Sequence, residues 1–166
     1  MAMDTLDIRP AVAGDLPAIN AIYNHYVLSS TATYQTRPMS PQERAAWFAK
    51  HDGLHPVIVA ERDGLIVGWA SLGEFHKREA YRNSVESSVY VRHDQRRLGV
   101  GKALLADLIT QARVIGHHTI VALVDSEQSA SIVLHEHAGF TRVGRLHQVG
   151  YKFGRWLDVI YMQMMV

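Results

Sequence analysis

The sequence predicts an α/β (α+β) fold in which a mixed, mostly antiparallel central sheet contains one parallel strand-helix-strand crossover. Three observations lead there. β-Branched and apolar runs at 57–61 and 65–72 are separated by Arg62-Asp63-Gly64, hairpin-turn chemistry that makes the two strands antiparallel. A long amphipathic stretch, 99–115, stands between two strand patterns, and a helical crossover of that kind joins parallel neighbours. The 166 residues suit one core and show neither linker nor internal repeat, so 1–166 is expected to be a single domain.

Each element follows from local pattern. Residues 6–9 alternate apolar and charged side chains up to Pro10 and read as a strand; Asp15 then caps a helix carrying Leu16, Ile19, Ile22 and Tyr23 on one face. A polar segment, 29–39, leads to Ser40-Pro41, the N-cap and first-turn proline of a second helix bearing Trp47 and Phe48. These two helices are expected to border a cleft. In the strand 84–91, Val85, Ser87, Val89 and Val91 alternate with Glu86, Ser88 and Tyr90, so Glu86 and Tyr90 share a face. Val100, Leu104, Leu108, Ala112 and Ile115 define the central helix, which Gly116 closes. A buried strand at 119–124, a helix at 126–138 ending at Gly139, and strands at 141–146 and 159–165 complete the chain.

Composition narrows the function classes. Seventeen basic and sixteen acidic side chains leave a formal charge of +1, which gives no general field for nucleic acid or an anionic membrane. The chain has no cysteine, which removes disulfides, thiolate nucleophiles and Cys-ligated zinc and suits a reducing compartment. Residues 1–7 carry acids and no apolar signal core, and no stretch approaches the roughly 18 apolar residues of a membrane span, so a cytoplasmic location is expected.

The sharpest feature is Arg96-Arg97-Leu98-Gly99-Val100-Gly101-Lys102, between a strand and the start of the central helix. A helix N-terminus carries partial positive charge, so Arg96, Arg97 and Lys102 repel it unless an anion sits among them. Gly99 and Gly101 allow close approach of backbone N–H groups to that anion. A P-loop requires Gly at Arg96 and Ser or Thr at Ala103, and a dinucleotide fingerprint requires Gly at Leu104, so both are excluded.

Arg96, Gly99 and Gly101 after a Val-Tyr-Val strand resemble motif A of the GNAT superfamily of N-acetyltransferases. Within it the chain is similar to the phosphinothricin and methionine-sulfone acetyltransferase group, over about 8–162. The resemblance runs through Asn24-His25-Tyr26, Ser30-Thr31, Thr36-Arg37-Pro38, Val85-Glu86-Ser87-Ser88-Val89-Tyr90-Val91 and Lys152-Phe153-Gly154-Arg155-Trp156. It implies acetyl-coenzyme A as cosubstrate, with the backbone of Val89, Tyr90 and Val91 along pantetheine and Arg97, Leu98, Gly99, Val100, Gly101 and Lys102 around the pyrophosphate. Gln128 stands where the family usually has Asn in a cofactor-contacting loop. A homodimer is also implied.

Acetyl transfer to an amine needs a neutral nitrogen, and a carboxylate suffices to take the proton. The resemblance assigns that role to Glu86; the competing reading is an edge carboxylate paired with Arg78 or Arg82. A backbone N–H near Val89 is the expected stabiliser of negative charge on the thioester oxygen. His135 or Tyr90 is the expected partner of the departing thiolate, His135 also being readable as a helix histidine satisfied by a carbonyl. Tyr34, Arg78, Tyr81 and Arg82 match the family's acceptor pocket, one arginine holding a carboxylate, with solvated loop charge as the other reading.

The expected acceptor is the α-amine of a small amino acid analogue with a tetrahedral polar group. The alternatives are another amine, such as a polyamine or a protein N-terminus, and a non-catalytic acyl-coenzyme A binding module. His117 and His118 on opposite faces of a strand, and His135 and His137 on different faces of a helix, do not form a metal site. No Gly-x-Ser-x-Gly elbow surrounds Ser71, Ser87 or Ser88.

Overall fold

A computed structural model describes residues 5–166. In chain order the elements are β1 (Asp7–Pro10), α1 (Leu16–Ser29), α2 (Pro41–Phe48), β2 (Val57–Arg62), β3 (Leu65–Glu74), β4 (Ser84–Val91), α3 (Val100–Ile115), β5 (Thr119–Asp125), α4 (Ser129–His137), β6 (Thr141–Lys152) and β7 (Arg155–Met165). They form a seven-stranded sheet in the order β1-β2-β3-β4-β5-β7-β6. Only β4 and β5 pair parallel, and α3 is the crossover between them. The mixed, mostly antiparallel fold read from the sequence is therefore the one the chain adopts.

Alternation along the strands sorts the core into two layers. Ile58, Ala70, Leu72, Val85 and Ile120 face α3, where Leu104, Leu105 and Leu108 are wholly buried. Val57, Val59 and Trp69 face the opposite side and are covered by Ile19, Ile22 and Tyr26 of α1. Both layers remove apolar surface from water on either side of β3 and β4. Ser40 caps α2 as expected: its Oγ accepts from Glu43 N–H at 3.1 Å while the Glu43 carboxylate accepts from Ser40 N–H at 2.8 Å.

Several local expectations are corrected. Asp15 stands at the start of α1 but does not cap it; its carboxylate accepts from Val12 N–H and from Arg9. The helix expected from 126 begins at Ser129, because the carboxylate and carbonyl of Asp125 accept from Glu127 and Gln128 N–H and hold 126–128 in a turn. His117 and His118 precede β5, and the ring of His117 bonds the Leu54 carbonyl at 2.7 Å. The last two strands are a hairpin much longer than the 141–146 and 159–165 read from sequence, turning at Phe153-Gly154 with both residues at positive φ. Strand β6 lies at the sheet edge and is exposed along most of its length, so it carries no inward-outward alternation to read.

Candidate active site

The parallel pairing of β4 with β5 is short. It runs from Ser84–Thr119 to Glu86–Val121 and then stops, while β4 continues to Val91 and β5 to Asp125. Beyond Glu86 the two strands part, and a gap opens in the middle of the sheet. The direction of the free main-chain groups follows from alternation: Arg92 N–H bonds Val67 O, and Leu72 N–H bonds Pro56 O on the far side of β3. Glu86, Ser88 and Tyr90 therefore turn their N–H and C=O groups toward β3, and Val89 and Val91 turn theirs into the gap. Tyr90, expected to offer its backbone, contributes its ring instead, stacked on Trp69 at 5.0 Å.

At the open end of the gap stands the turn before α3. Arg97 and Gly99 have φ of 63° and 81°, and the left-handed Gly99 is the residue from which α3 starts. No hydrogen bond within the described residues takes up the main-chain N–H groups of 97–102. Arg96, Arg97 and Lys102 are exposed, and none pairs with a carboxylate among the described residues. Helix N-terminus, unpaired donors and unneutralised cations together make an anion site. Gly101 lines the cavity and also serves packing: a Cβ there would lie 3.3 Å from Leu134 and 3.5 Å from Val91, so its absence lets α3 pack closely on α4 and β4. Leu98 is exposed and lies outside the cavity lining.

Turn and gap open into one cavity of about 1040 Å³ that crosses the sheet. Glu86 lines it on the α1/α2 side. Its carboxylate has no partner within the described residues, neither Arg78 nor Arg82 pairing with it, and burial raises its pKa above the ordinary glutamate value. His135 lines the same cavity from α4, buried, with Nδ1 2.7 Å from Ser131 O and its ring edge-on to Phe140. That carbonyl requires Nδ1 to carry the proton, which leaves Nε2 an acceptor, and burial lowers the ring's proton affinity. A neutral His135 is thus poorly suited to protonating a thiolate.

The acceptor residues expected from sequence divide. Tyr34 reaches the cavity, but its hydroxyl is already used, its one hydrogen donated to the Asp125 carboxylate at 2.6 Å with Asp158 O lying 3.2 Å away. Arg78, Tyr81 and Arg82 are exposed and do not line the cavity; Arg82 pairs with Glu79, and Tyr81 packs on Phe75 and His76. Gln128 lines the cavity with its amide donating to Thr31 Oγ1 at 3.0 Å and Ser30 Oγ at 3.3 Å.

The structure adds residues that sequence reading missed. Asp125, buried at the end of β5, accepts from Thr31 and Tyr34 and ties the 30–34 segment to the gap. Lys152 is buried and pairs with no carboxylate among the described residues; its ammonium donates to the carbonyls of Ser30 and Thr33, both at 2.7 Å. Arg44 lies under the cavity among Tyr23, Trp47 and Trp69. The one available signal was Lys152 in the Lys-Phe-Gly-Arg-Trp run; Asp125 and Arg44 sit in no motif.

Comparison with known proteins agrees with this geometry. Residues 8–161 match the family model of the acetyltransferase (GNAT) domain. The chain is 46% identical over 159 residues to an L-methionine sulfoximine/L-methionine sulfone acetyltransferase of Pseudomonas paraeruginosa, covering 95% of this chain and 92% of the relative. It is 39% identical to a phosphinothricin N-acetyltransferase of Streptomyces viridochromogenes, over 95% of this chain and 86% of that one. The crystal structure of a GNAT superfamily phosphinothricin acetyltransferase from Sinorhizobium meliloti, in complex with acetyl-coenzyme A, superposes with a TM-score of 0.94 at 38% identity, covering 98% and 89% of the two chains. A parted β4–β5 pair, a cationic turn at the head of α3 and these matches lead to one conclusion: the chain belongs to the GNAT acetyltransferase family.

Proposed function

We propose that this protein transfers the acetyl group of acetyl-coenzyme A to the α-amine of a small amino acid analogue of the methionine sulfone, methionine sulfoximine or phosphinothricin type, by direct attack in a ternary complex. The observation that carries the reading is Glu86: an unpaired, half-buried carboxylate on the cavity wall, at the residue where β4 and β5 part. When bound, acetyl-coenzyme A supplies the activated acetyl thioester. Everything else falls to the chain.

The N–H groups of 97–102, with Arg96, Arg97 and Lys102, suit a pyrophosphate, and the free main-chain groups of Val89 and the N–H of Val91 suit the amide-bearing pantetheine arm, the Val91 carbonyl already accepting from the Tyr26 hydroxyl. Glu86 accepts a proton from the substrate ammonium, directly or through one water, and so frees the nitrogen lone pair for attack. Its raised pKa makes it a better proton acceptor than an exposed glutamate. The N–H of Val89 faces the gap and is a preorganised donor for negative charge growing on the carbonyl oxygen. N–C bond formation leaves one further proton on the acylated nitrogen, and that proton or one from solvent neutralises the thiolate as the C–S bond breaks; burial keeps the His135 ring neutral, its one proton on Nδ1 held by Ser131 O, so it does not supply it.

A cytoplasmic homodimer belongs to the same proposal. The cysteine-free sequence suits a reducing compartment, and among the described residues no helix is long and apolar enough to cross a membrane. Val149, Tyr151 and Trp156 stand exposed on the final hairpin beside the open edge of β6, a surface that a second protomer would cover. Thiol release from acetyl-coenzyme A, measured against a panel of amino acids, amino acid analogues and polyamines, tests the activity. Turnover confined to polyamines or peptide N-termini would overturn it.

A further inference from the structure

One short segment bridges the gap between β4 and β5. On the β4 side the Tyr90 hydroxyl reaches the Ala32 carbonyl at 3.4 Å; on the β5 side the Asp125 carboxylate accepts from Thr31 Oγ1 at 3.0 Å and from the Tyr34 hydroxyl. Tyr90 and Asp125 belong to the two strands after they have parted, so 31–34 cross from one to the other. Tyr90 shares its face of β4 with Glu86 and packs with α1, which puts the crossing on the α1/α2 side. The crossing lies about 13 Å from Glu86 along the strand, level with Val89 and Val91 and away from the reacting nitrogen. Thr31, Ala32 and Thr33 line the same cavity as those two valines.

The segment does not hold this course by main-chain bonding. Among the described residues no main-chain hydrogen bond closes the turn 30–33, and the carbonyls of Ser30 and Thr33 converge from its two ends on one point. Lys152 Nζ stands at that point, 2.7 Å from each carbonyl and 3.5 Å from Tyr26 O in the last turn of α1. These carbonyls, the C-terminal end of α1 and the Phe153 ring at 5.0 Å offset the cost of burying the ammonium. Lysine is almost never buried without a counter-charge, and methionine would fill the space with no charge to offset. What the ammonium alone supplies is three N–H groups that draw Ser30, Thr33 and the end of α1 to one atom. Lys152 reaches them because β6 turns Gly150 and Lys152 inward while Val149, Tyr151 and Phe153 stay exposed; Gly150 lies against the Tyr34 ring, where any Cβ would collide.

We infer that 30–34 is a strap closing the gap over the pantetheine arm on the α1/α2 side, and that Lys152 is the positioning residue that holds it there. The inference rests on the cofactor placement proposed above. With the strap in place the arm is walled beside Val89 and Val91, and the gap faces the acceptor at its Glu86 end. Without the ammonium the two carbonyls are left buried and unmatched, and the turn opens toward water to satisfy them.

Calorimetric titration with two ligands tests it: acetyl-coenzyme A, and phosphoadenosine diphosphate, the nucleotide half of the cofactor, which suits the 97–102 turn and has no arm to be walled. Lys152→Met keeps the length of the side chain and removes its N–H groups. It should weaken acetyl-coenzyme A binding about tenfold, within the range for hydrogen bonds made by a charged group, and leave the affinity for the nucleotide unchanged. In the ligand-free variant the amides of Ser30 and Ala32, which bond Tyr26 O and Ser30 Oγ in the wild type, should exchange hydrogen faster. Thr31→Val removes the hydroxyl that joins Asp125 to Gln128; it should show the same selective loss, several-fold in size, and keeps the test open if Lys152→Met fails to fold. Unchanged acetyl-coenzyme A affinity in either folded variant overturns the inference. So does an equal loss for both ligands, which would make Lys152 a residue of stability alone; acetylation of an α-amine stands in both cases. A wild-type protein that binds neither ligand overturns the cofactor placement and the proposed function with it.

Discussion

The two halves of the cavity are built by opposite means. On the cofactor side the donors are main-chain N–H groups of 97–102, backed by three exposed cations that water and salt screen. On the α1/α2 side, where the proposed function places the acceptor, the lining is side chains taken out of water: Glu86 with no counter-charge and Arg44 with no carboxylate among the described residues, and Asp125 held by two hydroxyls. A main-chain site survives side-chain substitution as long as the backbone keeps its course. A site of buried side chains depends on every one of them, because in a low dielectric each unmatched group is costly. Tolerance on one side and intolerance on the other is the difference that experiments should find.

The largest effect is expected from Glu86→Gln, which keeps shape and removes the proton acceptor: kcat should fall about 10²- to 10⁴-fold with acetyl-coenzyme A affinity unchanged by calorimetry. Stability should move the other way. Because burial raises the pKa of Glu86 in the folded protein, its ionised form is disfavoured there, and the stability it contributes in acid is lost as pH rises through the raised pKa. Glu86→Gln should therefore melt no lower than wild type at neutral pH, and any advantage should vanish below the ordinary glutamate range. A lower melting temperature at neutral pH with near-normal kcat would make Glu86 structural. Wild-type kcat/KM should also fall on the acid side at a pH above that range, as the base becomes protonated.

Gly101→Val tests whether the cofactor half depends on packing. Its Cβ faces Leu134 and Val91, so the added methyls should cost about 1–3 kcal/mol of stability, read as a lower melting temperature. Weaker acetyl-coenzyme A binding with an unchanged melting temperature would return Gly101 to direct contact with phosphate. Gly99→Ala meets no atom within 4 Å, so its cost is only the left-handed backbone, about 1–2 kcal/mol. That cost should appear as weaker cofactor binding if the turn relaxes to negative φ. The smallest effect belongs to Arg97→Ala: an exposed cation contributes under about 1 kcal/mol, so acetyl-coenzyme A KM should rise a few-fold at low salt and little at high salt. A large, salt-independent loss there would erase the contrast between the two halves.

Legibility in the sequence followed the same division. The Arg96–Lys102 turn and the alternation of 84–91 are local, so both could be read from consecutive residues, and with them the crossover and the anion site. Arg44 could not. In Pro41-Gln42-Glu43-Arg44-Ala45-Ala46-Trp47-Phe48 it reads as a polar position on a surface helix, and only Tyr23 from α1 and Trp69 from β3 bury it. Arg78, Tyr81 and Arg82 differ again: they precede the Glu86 strand in the chain but are exposed and do not line the cavity, so an acceptor role for them rests on the resemblance alone.

The sequence by itself determined where strands and helices form, that one crossover is parallel, and that a helix begins in a turn rich in cations and glycine. Those outcomes depend on periodicity and on φ preference, which act over a few residues. Tertiary structure decided where β4 and β5 part, which face of β4 turns Glu86 into the cavity, and that Arg44 and Asp125 are buried along the same cavity. Burial and unmatched donors are properties of residues distant in the chain and adjacent in space, and packing alone brings those together.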